Sequence, residues 1–182
     1  MGTEINGWNA EAMSEAVEAV RTQPEAGRLT WRSRVKWDGG FGLDVHTREI
    51  EQLGQAMPRR FTMRGDHPPE LLGNNTGPTA IETLLAALGS CMAGTFAAQA
   101  AAREVALDAL EVDLESAIDL NGFFGLQPVR PGLDGVTVTI RAEADASPEV
   151  LEEIATAARS LSPVFDSLTN HVDVNVTLER SR

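Results

Sequence analysis

Cysteine occurs once in this chain, at position 91. A single thiol excludes an intramolecular disulfide and any multi-thiolate metal site. Such usage fits a reducing compartment or indifference to redox state, and a cytoplasmic location is expected. Positive charge is also scarce, with 15 Lys and Arg against 27 Asp and Glu and a formal net charge of −12. No Lys/Arg cluster makes a local exception, so nucleic acid and anionic membrane surfaces are excluded as partners. His46, His67 and His171 stand apart without metal-ligand spacing, even though Asp66 and Glu70 flank His67. Neither a metal nor another cofactor is therefore expected. Residues 1 to 25 scatter acids and lack a basic start ahead of an apolar run, so no secretory signal is visible. Thr83 to Ala102 carries no charge and is long enough to span a bilayer. Its Ala and Gly are mixed with Thr, Ser and Gln and it lacks basic flanks, which predicts a helix buried inside protein.

What is present is ordinary globular composition, 42% apolar and 23% charged over 182 residues, enough for one α+β domain with a real core. Asn9 to Thr22 predicts an amphipathic helix with an Asn cap and a weak apolar face, ended by Pro24 and Gly27. Residues 1–27 thus read as an N-terminal helical extension, an arm or lid on the domain formed by 28–182. Arg28 to Trp37 alternates apolar with polar residues, Asp38-Gly39-Gly40 is turn chemistry, and Phe41 to Thr47 returns as the second strand of a hairpin. A loop near Gly54 leads to a third strand, Arg59 to Arg64.

Asp66 to Gly77 is dense in turn formers, and Pro78 opens a long helix running to about Arg103. Small residues, among them Ala86, Gly89, Ala93, Gly94 and Ala97, occupy nearly every face of that helix. Such a surface lets another backbone approach closely, and a helix from a second subunit is the expected partner. Leu107 to Leu120 and Val136 to Ala144 predict two long strands, separated by the Gly- and Pro-rich loop Asn121 to Gly135. Ser147-Pro148 starts a second helix ending near Ser160, Ser162-Pro163-Val164 repeats the cap-plus-Pro pattern as a short turn, and Val172 to Leu178 alternates as a final strand.

The run Gly77-Pro78-Thr79-Ala80-Ile81-Glu82 through Gly89-Ser90-Cys91-Met92-Ala93-Gly94-Thr95 resembles the central helix of the OsmC/Ohr superfamily (osmotically inducible protein C and organic hydroperoxide resistance). The resemblance continues through Asn121-Gly122-Phe123-Phe124-Gly125-Leu126, Arg130-Pro131-Gly132 and Ser162-Pro163-Val164, covering about residues 28 to 180. It implies an OsmC-like fold in which antiparallel sheets wrap two central helices of an intertwined homodimer, with sites assembled between subunits. It also implies reduction of organic hydroperoxides by a helix-borne cysteine that becomes a sulfenic acid and is resolved by a second cysteine.

Here the sequence departs from the family pattern. Serine stands at Ser162-Pro163-Val164, where the resolving thiol would be, and a hydroxyl cannot form a disulfide with oxidised Cys91. A one-cysteine cycle remains, with the sulfenic acid recycled by an external thiol reductant. Cys91 sits too far into its helix for the N-terminal dipole to activate it, so a neighbouring cation is needed. Family members place an arginine near the first hairpin tip or on the following strand, but the tip here, Gly39-Gly40-Phe41-Gly42, has none. Arg64 is the candidate and Arg60 the second, each also readable as a solvated strand-edge charge. Glu82 matches the family's glutamate region and would orient that arginine, or is a first-turn acid favoured by the helix dipole. Nine residues of helix put it about 180° around and about 13 Å along the axis from Cys91, so the two meet only through an intermediary or another subunit. Thr95, one turn on, either donates to a thiolate or bonds the carbonyl four residues back. Ser90 lacks the strand-to-helix elbow of a serine hydrolase, and Trp31, Trp37 and Phe41 read as cover for a sheet face.

Two functions compete. One is thiol-dependent reduction of a small apolar organic hydroperoxide at Cys91, in a Leu/Phe-lined pocket, as a stress-protective oxidoreductase (peroxidase). The other is a non-catalytic dimer that binds an apolar small molecule, with Cys91 as an inert core residue.

Overall fold

The computed structural model describes residues 4–180. It divides into two compact units, one ending at Ala86 and one beginning at Ala87, inside the long helix. The first unit opens on a small hairpin that sequence reasoning passed over, β1 (Glu4–Ile5) against β2 (Trp8–Asn9). Asn6 and Gly7 turn it with φ of 54° and 75°, the double positive φ that a tight hairpin turn demands. Asn9 then accepts a hydrogen bond from the Ala12 N–H at 2.9 Å and caps α1 (Ala10–Thr22) as expected. No residue of α1 is buried.

The sheet that follows comprises β3 (Leu29–Gly39), β4 (Gly42–Gln52), β5 (Gln55–Met57) and β6 (Thr62–Gly65). β4 is its spine, antiparallel to each of the others. It runs beyond the expected end at Thr47 because its far end finds a partner in β5, delivered by a turn with Leu53 and Gly54 at positive φ. The third strand starts at Thr62 rather than Arg59, and Pro58, which has no N–H to give a ladder, precedes it. A bulge interrupts the β3–β4 register: Trp31 faces Ile50 but Ser33 faces Thr47, so Arg32 stands opposite the two residues Arg48 and Glu49.

After β6 the chain wraps around one carboxylate. Asp66, 2% exposed, accepts hydrogen bonds from the N–H of His67 (2.8 Å), Asn74 (3.1 Å) and Thr76 (3.2 Å) and from the Thr76 hydroxyl (2.7 Å). Two glycines make this wrap possible. A Cβ on Gly73 would lie 1.9 Å from the His67 carbonyl oxygen, and one on Gly77 would lie 2.2 Å from that of Arg64. Thr79 and Glu82 then form a reciprocal cap: Glu82 accepts from the Thr79 N–H at 2.7 Å, and the Thr79 hydroxyl accepts from the Glu82 N–H at 3.2 Å. α2 (Ala80–Ala101) starts there, two residues after Pro78.

The second unit holds the rest of α2 with β7 (Leu107–Ser116), α3 (Leu120–Phe123), β8 (Val136–Ala144), α4 (Pro148–Leu161) and α5 (Pro163–Thr169). β7 and β8 pair antiparallel and alternate, one face turned inward. Phe96 and Ala100 of α2 and Ile154 and Ala158 of α4 form the core, with Leu110, Ile140 and Val150 packed against it. Leu88, Gly89, Met92, Phe96 and Ala100 are the buried stripe of α2. By length and composition α2 passes as a bilayer span; Phe96 and Ala100 of its stripe pack into the core shared with α4, while most of the helix is not buried within the chain. Gly89 admits the sheet at close range, since a Cβ there would lie 2.6 Å from Cδ1 of Leu114.

Three expectations fail in the second unit, the first being the strand from Leu107, which ends at Ser116 rather than Leu120, where α3 begins. Val172 to Leu178 forms no strand. The alternating pattern is real, but a strand exists only in a ladder, and no described strand pairs with this segment. Val174, Val176 and Leu178 are 80, 90 and 88% exposed. Ser162-Pro163-Val164, expected as a short turn, instead opens the two-turn helix α5.

The Asp66 carboxyl is held down at about 2, chiefly by the Thr76 hydroxyl and the His67 N–H. A carboxyl lowered by folding adds stability above its unfolded pKa and loses it as pH falls through the folded one. Acid unfolding between about pH 4 and 2 should therefore be blunted in Asp66→Asn. That variant should also melt at lower temperature at neutral pH, both readable by circular dichroism.

Candidate functional site around Cys91

Cys91 is set by the rotation of α2. It precedes Met92 and follows Leu88 by three positions, so it lies at the margin of the buried stripe and is half-buried. The chain reaches it again at the junction of α4 and α5. Ser162 ends the first of these helices and caps the second, with Pro163 in the first turn. Its Oγ accepts the Phe165 N–H at 3.3 Å, and its own hydroxyl donates to Sγ of Cys91 at 3.1 Å. Ser162 is 1% exposed, and a buried hydroxyl needs its proton placed on an acceptor. The capping bond uses an oxygen lone pair and leaves that proton to the sulfur. Hydroxyl and sulfur are thus held in direct contact.

Thr95 takes the commoner of its two expected roles. Its hydroxyl donates to the Cys91 carbonyl oxygen at 2.8 Å. Glu82 is occupied by the cap with Thr79, and the Thr79 N–H is the main reason its carboxyl lies below the ordinary range. It stands nine residues before Cys91 on the unbroken α2. Arg64 leaves β6 toward the hairpin turn: Nη1 lies 2.7 Å from Asp38 and 3.0 Å from Asp44, and Nε donates to the Thr76 hydroxyl at 3.3 Å. Hydrogen bonds first to Asp44 and then to Asp38 push its already high pKa further up. Gly42 makes room for this side chain, since a Cβ there would lie 2.6 Å from Nη2. Arg60 is exposed in the irregular stretch ahead of β6. Glu82 and Arg64 thus belong to the first unit, and Cys91, Ser162 and Thr95 to the second.

Sequence reasoning looked for a guanidinium and passed over the hydroxyl as a donor. The signal was there, since Ser162 stands where the family pattern would put a second thiol. Asp66 was weighed only as a neighbour of His67; its role depends on Asn74 and Thr76, whose approach no local pattern announces.

The fold and the thiol's position together define a helix-borne cysteine protein of the OsmC-like class. Residues 73–177 match the family model described as OsmC-like protein, more than half of the chain, and the chain belongs to that family. Among solved structures it is similar to an OsmC-like protein from Mycoplasma pneumoniae (TM-score 0.61, 17% identity, 83% of this chain and 98% of that one). It is also similar to an osmotic stress induced and detoxification response protein from Psychrobacter arcticus (TM-score 0.55, 16% identity, 74% and 85%). A third is an organic hydroperoxide resistance protein OsmC from Legionella pneumophila (TM-score 0.54, 16% identity, 79% and 92%). No curated protein matches the chain.

If the Ser162 hydroxyl supports the thiolate, Ser162→Ala should slow alkylation of Cys91 by iodoacetamide at neutral pH about ten-fold, the worth of one hydrogen bond to a charged group. The rate is followed by mass spectrometry under native conditions. An unchanged rate would reduce Ser162 to a helix cap.

Proposed function

We propose that this protein reduces small apolar organic hydroperoxides by a one-cysteine cycle at Cys91. The hydroxyl of Ser162 donating to the sulfur is the observation that carries the proposal, and membership of the OsmC-like family gives it context. The Cys91 thiolate attacks the terminal peroxide oxygen, the O–O bond breaks, and the alkoxide leaves as an alcohol after taking a proton. Sulfur is oxidised to the sulfenic acid and the peroxide is reduced. An external thiol then condenses with the sulfenic acid, releasing water and leaving a mixed disulfide. A second thiol displaces Cys91 and leaves as a disulfide with the first. Ser162 has no thiol to trap the oxidised sulfur, so the cycle draws on the reducing pool of a cytoplasmic compartment.

Purified protein should consume cumene hydroperoxide with dithiothreitol, and Cys91→Ser should lose that activity. Equal rates for the two proteins would leave the sulfur as packing and the chain as a binding protein.

We also propose that the working form is a homodimer. The chain exposes 13549 Å². A folded monomer of this mass exposes about 8,500 Å², and two separately folded bodies of half the mass about 10,000 Å². The excess is larger than chain division accounts for, and a second copy is the natural cover. Gly94, with nothing within 4 Å of a Cβ built on it, and the alternating segment from Val172 to Leu178 offer such surfaces. Sedimentation equilibrium should give about twice the chain mass of 19.5 kDa, and deletion of residues 172–182 should shift it toward the monomer.

A further inference from the structure

β3 stands at an edge of its sheet. Among the described strands it pairs with β4 alone, so the N–H and C=O groups along its other side meet no ladder. All of its residues but Leu29 and Gly39 are exposed. Trp31, Val35 and Trp37 lie along one face, and Arg32, Arg34 and Lys36 along the other. Arg32 is held by Glu51, whereas Arg34 and Lys36 have no ion pair among the described residues. An edge this long and open, with aromatic side chains beside it, is a template for a further strand.

Residues 172–178 have the sequence of a strand without the partner of one. Their valines and Leu178 are exposed, and on the alternate positions Asp173 meets the exposed ring of His171 while Glu179 continues the polar row. Charge decides among the open edges. β7 would set Glu111, Asp113 and Glu115 near Asp173 and Glu179, and like charges across a ladder destabilise it. The one cation of β8, Arg141, is already bound to Asp113. β5 and β6, of three and four residues, are too short, and β3 against a second β3 would oppose its own cations. With the segment antiparallel to β3, both faces match. Setting Val174 opposite Val35 also sets Val172 opposite Trp37 and Leu178 opposite Trp31, and on the other face Asp173 falls opposite Lys36 and diagonal to Arg34. Parallel pairing of the same apolar rows would bring Glu179 against Asp38.

We propose that residues 172–178 of one copy add as an antiparallel strand to the free edge of β3 of a second copy, so that two chains exchange their C-terminal segments. The inference rests on the homodimer reading and names the surface that the dimer uses. Within one chain the segment pairs with no described strand and the β3 edge stays open, so the occupant comes from a second copy. Each added strand satisfies backbone groups on both sides and lays aliphatic side chains beside Trp31, Val35 and Trp37.

The test uses the full chain with Cys91→Ser to remove the native thiol. Val35→Cys with Val174→Cys should oxidise to a covalent dimer on a non-reducing gel and return to monomer with dithiothreitol. Lys36→Cys with Val174→Cys, whose side chains lie on opposite faces of the ladder, should stay monomeric on the same gel. A charge exchange in the parent chain keeps the proposal testable should the cysteine variants fail to fold, judged by circular dichroism. Lys36→Glu should raise the dimer dissociation constant about ten-fold in sedimentation equilibrium, since each of two symmetric ladders trades an opposite-charge pair for a like-charge one. Adding Asp173→Lys to Lys36→Glu should restore it. A parent that sediments as a dimer while Val35→Cys with Val174→Cys gives no covalent dimer, a cross-link closed within one chain, or a charge reversal without rescue would each overturn the pairing and leave the homodimer standing. A parent that sediments as a monomer would overturn both.

Discussion

The rotation of α2 about its own axis governs the second unit and the chemistry it can hold. Leu88, Met92, Phe96 and Ala100 recur every four residues and are all buried, so the helix has one favourable angle at which to meet Ile154 and Ala158 of α4 and the inner faces of β7 and β8. Burying the side chains of Leu88, Met92, Phe96 and Ile154 contributes about 1.5–3 kcal/mol each. A helix turned by even one residue position would forfeit much of that. With the angle set, Cys91 comes to the margin of the stripe, half-buried and close enough to the core to be approached by the α4–α5 junction. Gly89 keeps the same angle sterically possible by admitting Leu114.

The junction contributes a hydroxyl with little freedom. As the cap of α5, Ser162 must hold its oxygen toward the Phe165 N–H, and the remaining proton is directed at sulfur. One residue therefore serves helix termination and contact with the thiol at once. Arg64 illustrates a different use of charge in the first unit. Its guanidinium ties β6 to Asp38 at the hairpin turn and Asp44 on β4, fixing the geometry of the sheet edge. Such partly exposed pairs contribute modestly to stability singly. Their value lies in holding the strand before the Asp66 loop in register.

Much of this was legible along the chain. Asn9 and Ser147 announce helix starts by capping chemistry, and each caps as expected; the same pattern at Ser162, read as a short turn, opens α5. The alternation of Val136 to Ala144 marks β8 to the residue, and the small-residue run marks α2. The failures share a cause. β5 and the far half of β4 exist because two strand edges meet, and Val172 to Leu178 is irregular because none meets it. Alternation records a preference for an extended backbone, whereas a strand needs a partner that periodicity cannot supply. The candidate site divides likewise: the thiol could be found by its uniqueness, but not the hydroxyl donor set against it.

Taken alone, the sequence determined what is local. It set the caps and breakers, the helical or alternating period of each segment, the acidic balance, and the presence of one thiol with no second to resolve it. These follow from residue identity and near-neighbour sterics. Tertiary structure decided which long-range partners meet: Ser162 with Cys91 across 71 positions, Asp66 with Thr76 across its loop, and Arg32 with Glu51 between β3 and β4. Each of these needs a backbone path to close, and closure depends on how whole elements pack rather than on any residue's own preference.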